Sequence, residues 1–143
     1  MKELKFIHIS KCAGTFIEDV GLKHGLHWGK NHKEYGHHHN VFALQPNKLR
    51  AQYDWFVIVR NPYSRILSEY YCRWGGIGGK GIMHSEDEFN AFLKNRIILQ
   101  NSIKHYTEQY KYIDDTSVIH IIRFENIYNE LDILFKKYDI QID

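Results

Sequence analysis

Two short stretches carry residue types suited to holding anions. In Ser10-Lys11-Cys12-Ala13-Gly14-Thr15, a lysine, small residues and a hydroxyl stand between a strand-like run and a helix-like one. Backbone N–H groups at a helix start, the positive end of the helix dipole and an ammonium group converge there, and Gly14 lets the backbone approach an anion closely. In the second stretch, Arg60 follows the apolar run Phe56-Val57-Ile58-Val59 and is followed by Asn61-Pro62. A guanidinium at a strand's carboxyl end grips two phosphate oxygens with its planar fork, and a serine in the following helix adds a hydroxyl donor. Cys12 has two readings, a thiolate nucleophile stabilised near a helix start or a small loop residue.

The order of residues in the first stretch departs from the nucleotide triphosphatase loop, where lysine follows the last glycine and a Ser or Thr follows the lysine. Here Lys11 precedes Gly14. A small-molecule kinase, which needs such a lysine and a magnesium-binding acid, is therefore the weaker alternative.

The elements that must position these residues follow from periodicity. Leu4 to Ile9 is a short apolar run, and Phe16, Ile17 and Val20 recur at helical spacing between Thr15 and Leu22. Residues Lys23 to Asn40, rich in Gly and His, read as a long loop. Pro46 fits the first turn of a short helix through Gln52, and Trp55 to Val59 reads as a strand buried on both faces. Ile66, Leu67, Tyr70 and Tyr71 form one face of a helix from Tyr63 to Trp74, which a Gly-rich run ends. Ser85 and Glu88 form a capping-box pattern opening a helix to about Leu99. Val118 to Ile122 is a further strand, and Ile127, Leu131, Leu134, Phe135 and Tyr138 mark a last helix. Strands alternating with helices predict an α/β fold with a parallel sheet, whose ligands bind beyond the strands' carboxyl ends.

Composition narrows the classes. With 143 residues, 43% hydrophobic and 25% charged, the chain has one domain's worth of sequence, expected to span 1–143 as a single domain. A formal charge of +2 argues for a small anionic ligand and against a nucleic-acid partner. No apolar run reaches a membrane span and the start does not read as a signal peptide, so a cytoplasmic location is expected. The two cysteines, Cys12 and Cys72, are read as free thiols.

Together the two stretches resemble the sulfotransferase superfamily, particularly the heparan-sulfate-type and related bacterial carbohydrate sulfotransferases. That family's Pro-Lys-Thr-Gly-Gly-Thr loop is matched at Lys11, Gly14 and Thr15, with Ser10 in place of proline and Cys12 in place of threonine. Its signature Val-Arg-Asn-Pro-Tyr-x-Arg-x-x-Ser-x-Tyr-Tyr is matched from Val59 to Tyr71. Ile122-Arg123-Phe124-Glu125-Asn126-Ile127 is similar to its Arg-Phe-Glu-Asn-Leu segment.

The resemblance implies a three-layer α/β/α architecture with a small central parallel sheet, a P-loop-NTPase-like sulfotransferase fold. It also implies the donor co-substrate 3′-phosphoadenosine-5′-phosphosulfate. The donor's 5′ end would lie on Lys11, Cys12, Ala13, Gly14, Thr15 and Phe16, and its 3′-phosphate on Arg60 and Ser68. The other partner would be a hydroxyl-bearing glycan or small molecule, and no metal would be needed. A catalytic histidine is implied within His37-His38-His39, with Lys11 stabilising charge.

The residues alone do not choose among the three histidines. In an extended segment His37 and His39 face one way and His38 the other. A metal site with His24, His27 or His32 lacks an acidic or Cys partner at a recognised spacing, and solvated loop histidines are the plain alternative. Trp28, Tyr70, Tyr71 and Trp74 would either stack on an acceptor or belong to the core. A non-catalytic remnant that binds the nucleotide is the other functional alternative.

Overall fold

Strand β1 (Leu4–Ile7) and strand β2 (Asp54–Val59) are buried along almost their whole length, as apolar strands covered on both faces must be. With β3 (Ile119–Arg123) they form a three-stranded parallel sheet in the order β1-β2-β3. The register sets Phe6 beside Phe56 and Ile58 beside Ile122. This computed structural model describes residues 1–35, 41–74, 76–77, 85–98, 104–113, 117 and 119–142. The histidines at 37–39 and residues 75 and 78–81 of the Gly-rich run lie outside the described residues.

The helices are α1 (Gly14–Lys23), α2 (Asn47–Gln52), α3 (Pro62–Tyr70), α4 (Glu86–Ile98) and α5 (Ile127–Lys137). The chain divides into two compact units, the first Met1–Asn61 with Gln109–Asp143 and the second Pro62–Glu108. The first contains the sheet with α1, α2 and α5. Strand and helix alternation thus produces the expected α/β fold.

Alternation along β2 sends side chains to two differently built layers. On one face Phe56 meets Phe6, Trp28 and Phe135 of α5. On the other, Trp55 packs against Phe42 and Tyr35, and its indole N–H donates to the Arg50 carbonyl of α2. This second layer is short turns and α2 rather than a long helix. The 23–40 stretch, expected as a loop, contributes fully buried side chains: Trp28 and Tyr35 belong to the core. Trp28 also donates to the Leu4 carbonyl, 2.9 Å away, so it anchors the irregular segment to β1.

In the second unit, α3 ends at Tyr70 instead of reaching Trp74. The chain folds back there, with Ile77 N–H donating to the Tyr70 carbonyl at 2.7 Å and Gly76 packed against the Glu69 and Tyr70 carbonyls. Tyr70 is buried against Phe89 and Phe92 of α4, which makes it core. The capping box opens α4 as expected: Ser85 N–H donates to Glu88, and Glu88 N–H donates to the Ser85 hydroxyl.

Candidate functional site

Beyond β1 the chain turns sharply into α1. Lys11 and Ala13 both adopt left-handed backbone, with φ of 60° and 61°. For residues with a β-carbon this conformation costs about 1–2 kcal/mol each, so the loop stores strain. Left-handed residues in such a turn help gather backbone N–H groups into an anion-sized concavity. Ala13 caps α1 with no side-chain hydrogen bond, and the first-turn N–H groups have no acceptor within the helix. Lys11 is half-buried, Cys12 is buried, and Thr15 and Phe16 are exposed.

Gly14 has a structural part besides the one its sequence position suggests. It is the first helical residue, and a β-carbon on it would overlap the imidazole of His8. His8 Nδ1 donates to the Glu18 carboxylate at 2.6 Å, and Glu18 is only 1% exposed. Lys30 N–H donates to the same carboxylate oxygen at 2.8 Å. On the far side, a β-carbon on Gly29 would overlap Glu18. Burial would raise the Glu18 carboxyl, but the His8 hydrogen bond and charge, aided by the Lys30 amide and ammonium, outweigh it and hold the group below the usual carboxylate range. A buried, hydrogen-bonded acid thus supports the loop from beneath. Sequence reading missed both His8 and Glu18; the only signals were an imidazole within an apolar strand and a glycine opening a helix.

At the end of β2, three separate segments hold Arg60. Its guanidinium donates to the Lys11 carbonyl at 3.1 Å and lies 4.3 Å from the centroid of the Phe124 ring. The Gln109 side-chain amide takes both backbone groups of Arg60: its oxygen accepts the N–H at 2.8 Å and its nitrogen donates to the carbonyl at 2.7 Å. The Cys12 thiol donates to the same Gln109 oxygen at 3.5 Å. The next residue, Asn61, donates its N–H to Glu125 at 2.7 Å. That bond, followed by Glu125's own amide, lowers the Glu125 carboxyl despite some desolvation, with the charges of Arg60 and Arg123 adding to the effect.

Lys11, Cys12 and Arg60 are therefore brought together, and the Phe124-Glu125 stretch of the third motif closes around the second. Phe16 turns outward and lines a cleft of about 750 Å³ with Tyr128, Leu131 and Phe135. Ser68 sits half-buried on α3 in the second unit. Arg65, the second arginine of the signature, is buried in that unit and donates to the Thr107 and His105 carbonyls. Glu69, also buried, faces His105 Nδ1 at 3.2 Å.

His32 has a structural place. It is buried, accepts the Tyr35 N–H at 2.9 Å, and lies against Tyr53 and Trp55. Burial, followed by the charge of Lys5, lowers its pKa and favours the neutral ring. Among the described residues no group of three or more His, Cys, Asp or Glu side chains is arranged to hold a metal ion. Among them, too, no helix is long and apolar enough to cross a membrane. Cys12 and Cys72 are free thiols, and the burial of Cys12 fits a loop-packing residue.

A parallel α/β sheet that brings the Lys11 loop and Arg60 together at its strand ends is an arrangement suited to an anionic ligand. The sequence model of the sulfotransferase family matches residues 2–131. The chain belongs to that family, and the match supports sulfotransfer as its activity. No curated protein and no solved structure gives a match.

Proposed function

We propose that the chain binds 3′-phosphoadenosine-5′-phosphosulfate and transfers its sulfuryl group to a hydroxyl of a glycan or small molecule. The observation that carries this reading is the hydrogen bond from the Arg60 guanidinium to the Lys11 carbonyl, which makes the two anion-suited segments neighbours. One nucleotide with phosphates at both ends suits such a pair. The strained loop, its lysine and the uncapped start of α1 fit the 5′ end, and Arg60 fits the 3′-phosphate, a group to which the family signature also assigns Ser68. Cys12, Ala13, Gly14, Thr15 and Phe16 contribute backbone to the 5′ cradle.

When bound, the donor supplies a sulfuryl group whose bond to the 5′-phosphate oxygen breaks as a bond to the acceptor oxygen forms. Lys11 and the loop amides hold the charge that grows on the departing oxygens, a contribution worth about 10²–10³ in rate for one such donor. One of His37, His38 and His39 takes the acceptor's proton, a role assigned from the family pattern and worth roughly 10²–10⁴. The chain works as one functional domain in this reading, supported by a family match that runs continuously over residues 2–131.

Calorimetry with adenosine 3′,5′-bisphosphate against ATP plus magnesium is the direct test. Tighter binding of the bisphosphate is expected, followed by transfer of labelled sulfate to a member of a panel of sugars and phenols. Preference for ATP would overturn the reading. Bisphosphate binding without transfer to any acceptor would instead leave a nucleotide-binding remnant.

A further inference from the structure

The register between β2 and β3 ends at Val59, opposite Arg123, and the backbone of the next residue, Arg60, is met by the Gln109 side chain. A partly buried peptide group at a strand end is costly to leave unpaired, and one side chain can serve both its N–H and its C=O. Gln109 does so with a single side chain. Its amide has one donating end and one accepting end, and it offers both to the same residue at 2.7 and 2.8 Å. Because the Arg60 N–H requires an oxygen and its carbonyl an N–H, only one orientation of the amide satisfies both. The second lone pair of that oxygen accepts the Cys12 thiol, which joins the clamp to the loop.

We propose that Gln109 is a positioning residue for the donor's 3′-phosphate, and that its amide sets the direction in which the Arg60 guanidinium leaves the strand. The proposal rests on the donor reading above and adds a residue to it. A carboxylate cannot donate to the Arg60 carbonyl, and an apolar side chain can serve neither group, so the function belongs to the carboxamide. Asn is too short to reach from the same backbone position. The loop's shape rests on its own left-handed turn and on the His8–Glu18 pair beneath α1, with the clamp reaching it only through the long Cys12 thiol contact, so losing the clamp should weaken recognition of the 3′-phosphate far more than that of the 5′ end.

The test compares adenosine 3′,5′-bisphosphate with adenosine 5′-monophosphate by calorimetry on the whole chain, in wild type, Gln109→Met, Gln109→Glu and Arg60→Ala. The ratio of the two affinities isolates the 3′-phosphate. Gln109→Met is expected to reduce that ratio about tenfold, toward the Arg60→Ala value, with monophosphate affinity within about threefold of wild type. Adding Gln109→Met to Arg60→Ala should then change little, since both act through one group. In turnover assays KM for the donor should rise while kcat stays within about threefold, a split that general loss of structure would not produce.

Amide hydrogen exchange on the wild type needs no variant. The Arg60 N–H should be protected, and further protected by the bisphosphate but not by the monophosphate. A folded Gln109→Met protein with an unchanged ratio would sink the Gln109 inference alone. An Arg60 amide exchanging at the rate of an open chain would do the same even if every variant misfolds. A wild type that fails to distinguish the two nucleotides would defeat the donor reading, and the positioning role with it.

Discussion

The loop after β1 and the end of β2 each present a cation, but they are held by opposite means. The loop is assembled from neighbours in sequence: left-handed Lys11 and Ala13, the start of α1, and a buried His8–Glu18 pair drawn from either side of it. The end of β2 is assembled from far along the chain, with Gln109, Phe124 and Glu125 converging on Arg60 and Asn61. Local construction gives stiffness at the cost of strain. Remote construction leaves the strand end unstrained but dependent on the path of the later chain.

Substitutions at the two places should therefore fail differently. Lys11→Ala is expected to reduce turnover about 10²–10³-fold without moving the unfolding midpoint, because the side chain stabilises charge and not the loop. Arg60→Ala should act mainly on donor affinity. A sulfate-transfer assay combined with thermal melts separates the two outcomes, and near-normal turnover in both variants would erase the distinction.

Gly14→Ala should cost about 1–3 kcal/mol in urea unfolding, since its methyl group must displace the His8 ring. Pairing it with His8→Ala should recover part of that loss. A double variant no better than the sum of the two singles would show that the ring is not the obstacle.

Glu18→Gln is expected to cost about 1–3 kcal/mol at neutral pH. The folded carboxyl lies below its ordinary value of 4.5, so its ionised form contributes stability above that pH and loses it as pH falls through the folded value. The gap between wild type and variant should thus be constant near neutrality and narrow below pH 4.5. Urea midpoints measured across the acid range would check this, and a gap that widened in acid would contradict it.

The smallest effect is expected at Ala13, whose φ of 61° suits glycine better than alanine. Ala13→Gly should range from neutral to about 1 kcal/mol more stable, the relief of strain being offset by greater freedom in the unfolded chain. Donor affinity should fall slightly as the loop loosens. A marked loss of stability on the melt would mean that the backbone there is not strained.

How far these features are legible in the sequence follows the same division. Strands at Leu4–Ile7 and Asp54–Val59 and helices at Gly14–Lys23 and Glu86–Ile98 follow from apolar periodicity, the Ser85–Glu88 box and breaker residues. Lys11 and Arg60 stand out because each sits where a strand gives way to a loop. Gln109 does not, because a glutamine in an irregular stretch has no local signal and the Arg60 backbone it holds lies forty-nine positions away. Tyr35 was hidden in a stretch whose Gly and His content suggested an open loop, and Trp28, legible there as a core candidate, is buried by tertiary packing in the same stretch. The early end of α3 was equally hidden, since it depends on Gly76 fitting against helix carbonyls.

The glycines on either side of Glu18 have a consequence for variation in this protein. Positions 14 and 29 have no side chain to offer, yet each leaves the volume that an internal acid or its imidazole occupies. Single-methyl changes there should yield heat-sensitive proteins whose defect looks catalytic only because the anion loop rests on the displaced ring. Genetic screens for weakened alleles would be expected to accumulate at these silent sites as readily as at the lysine.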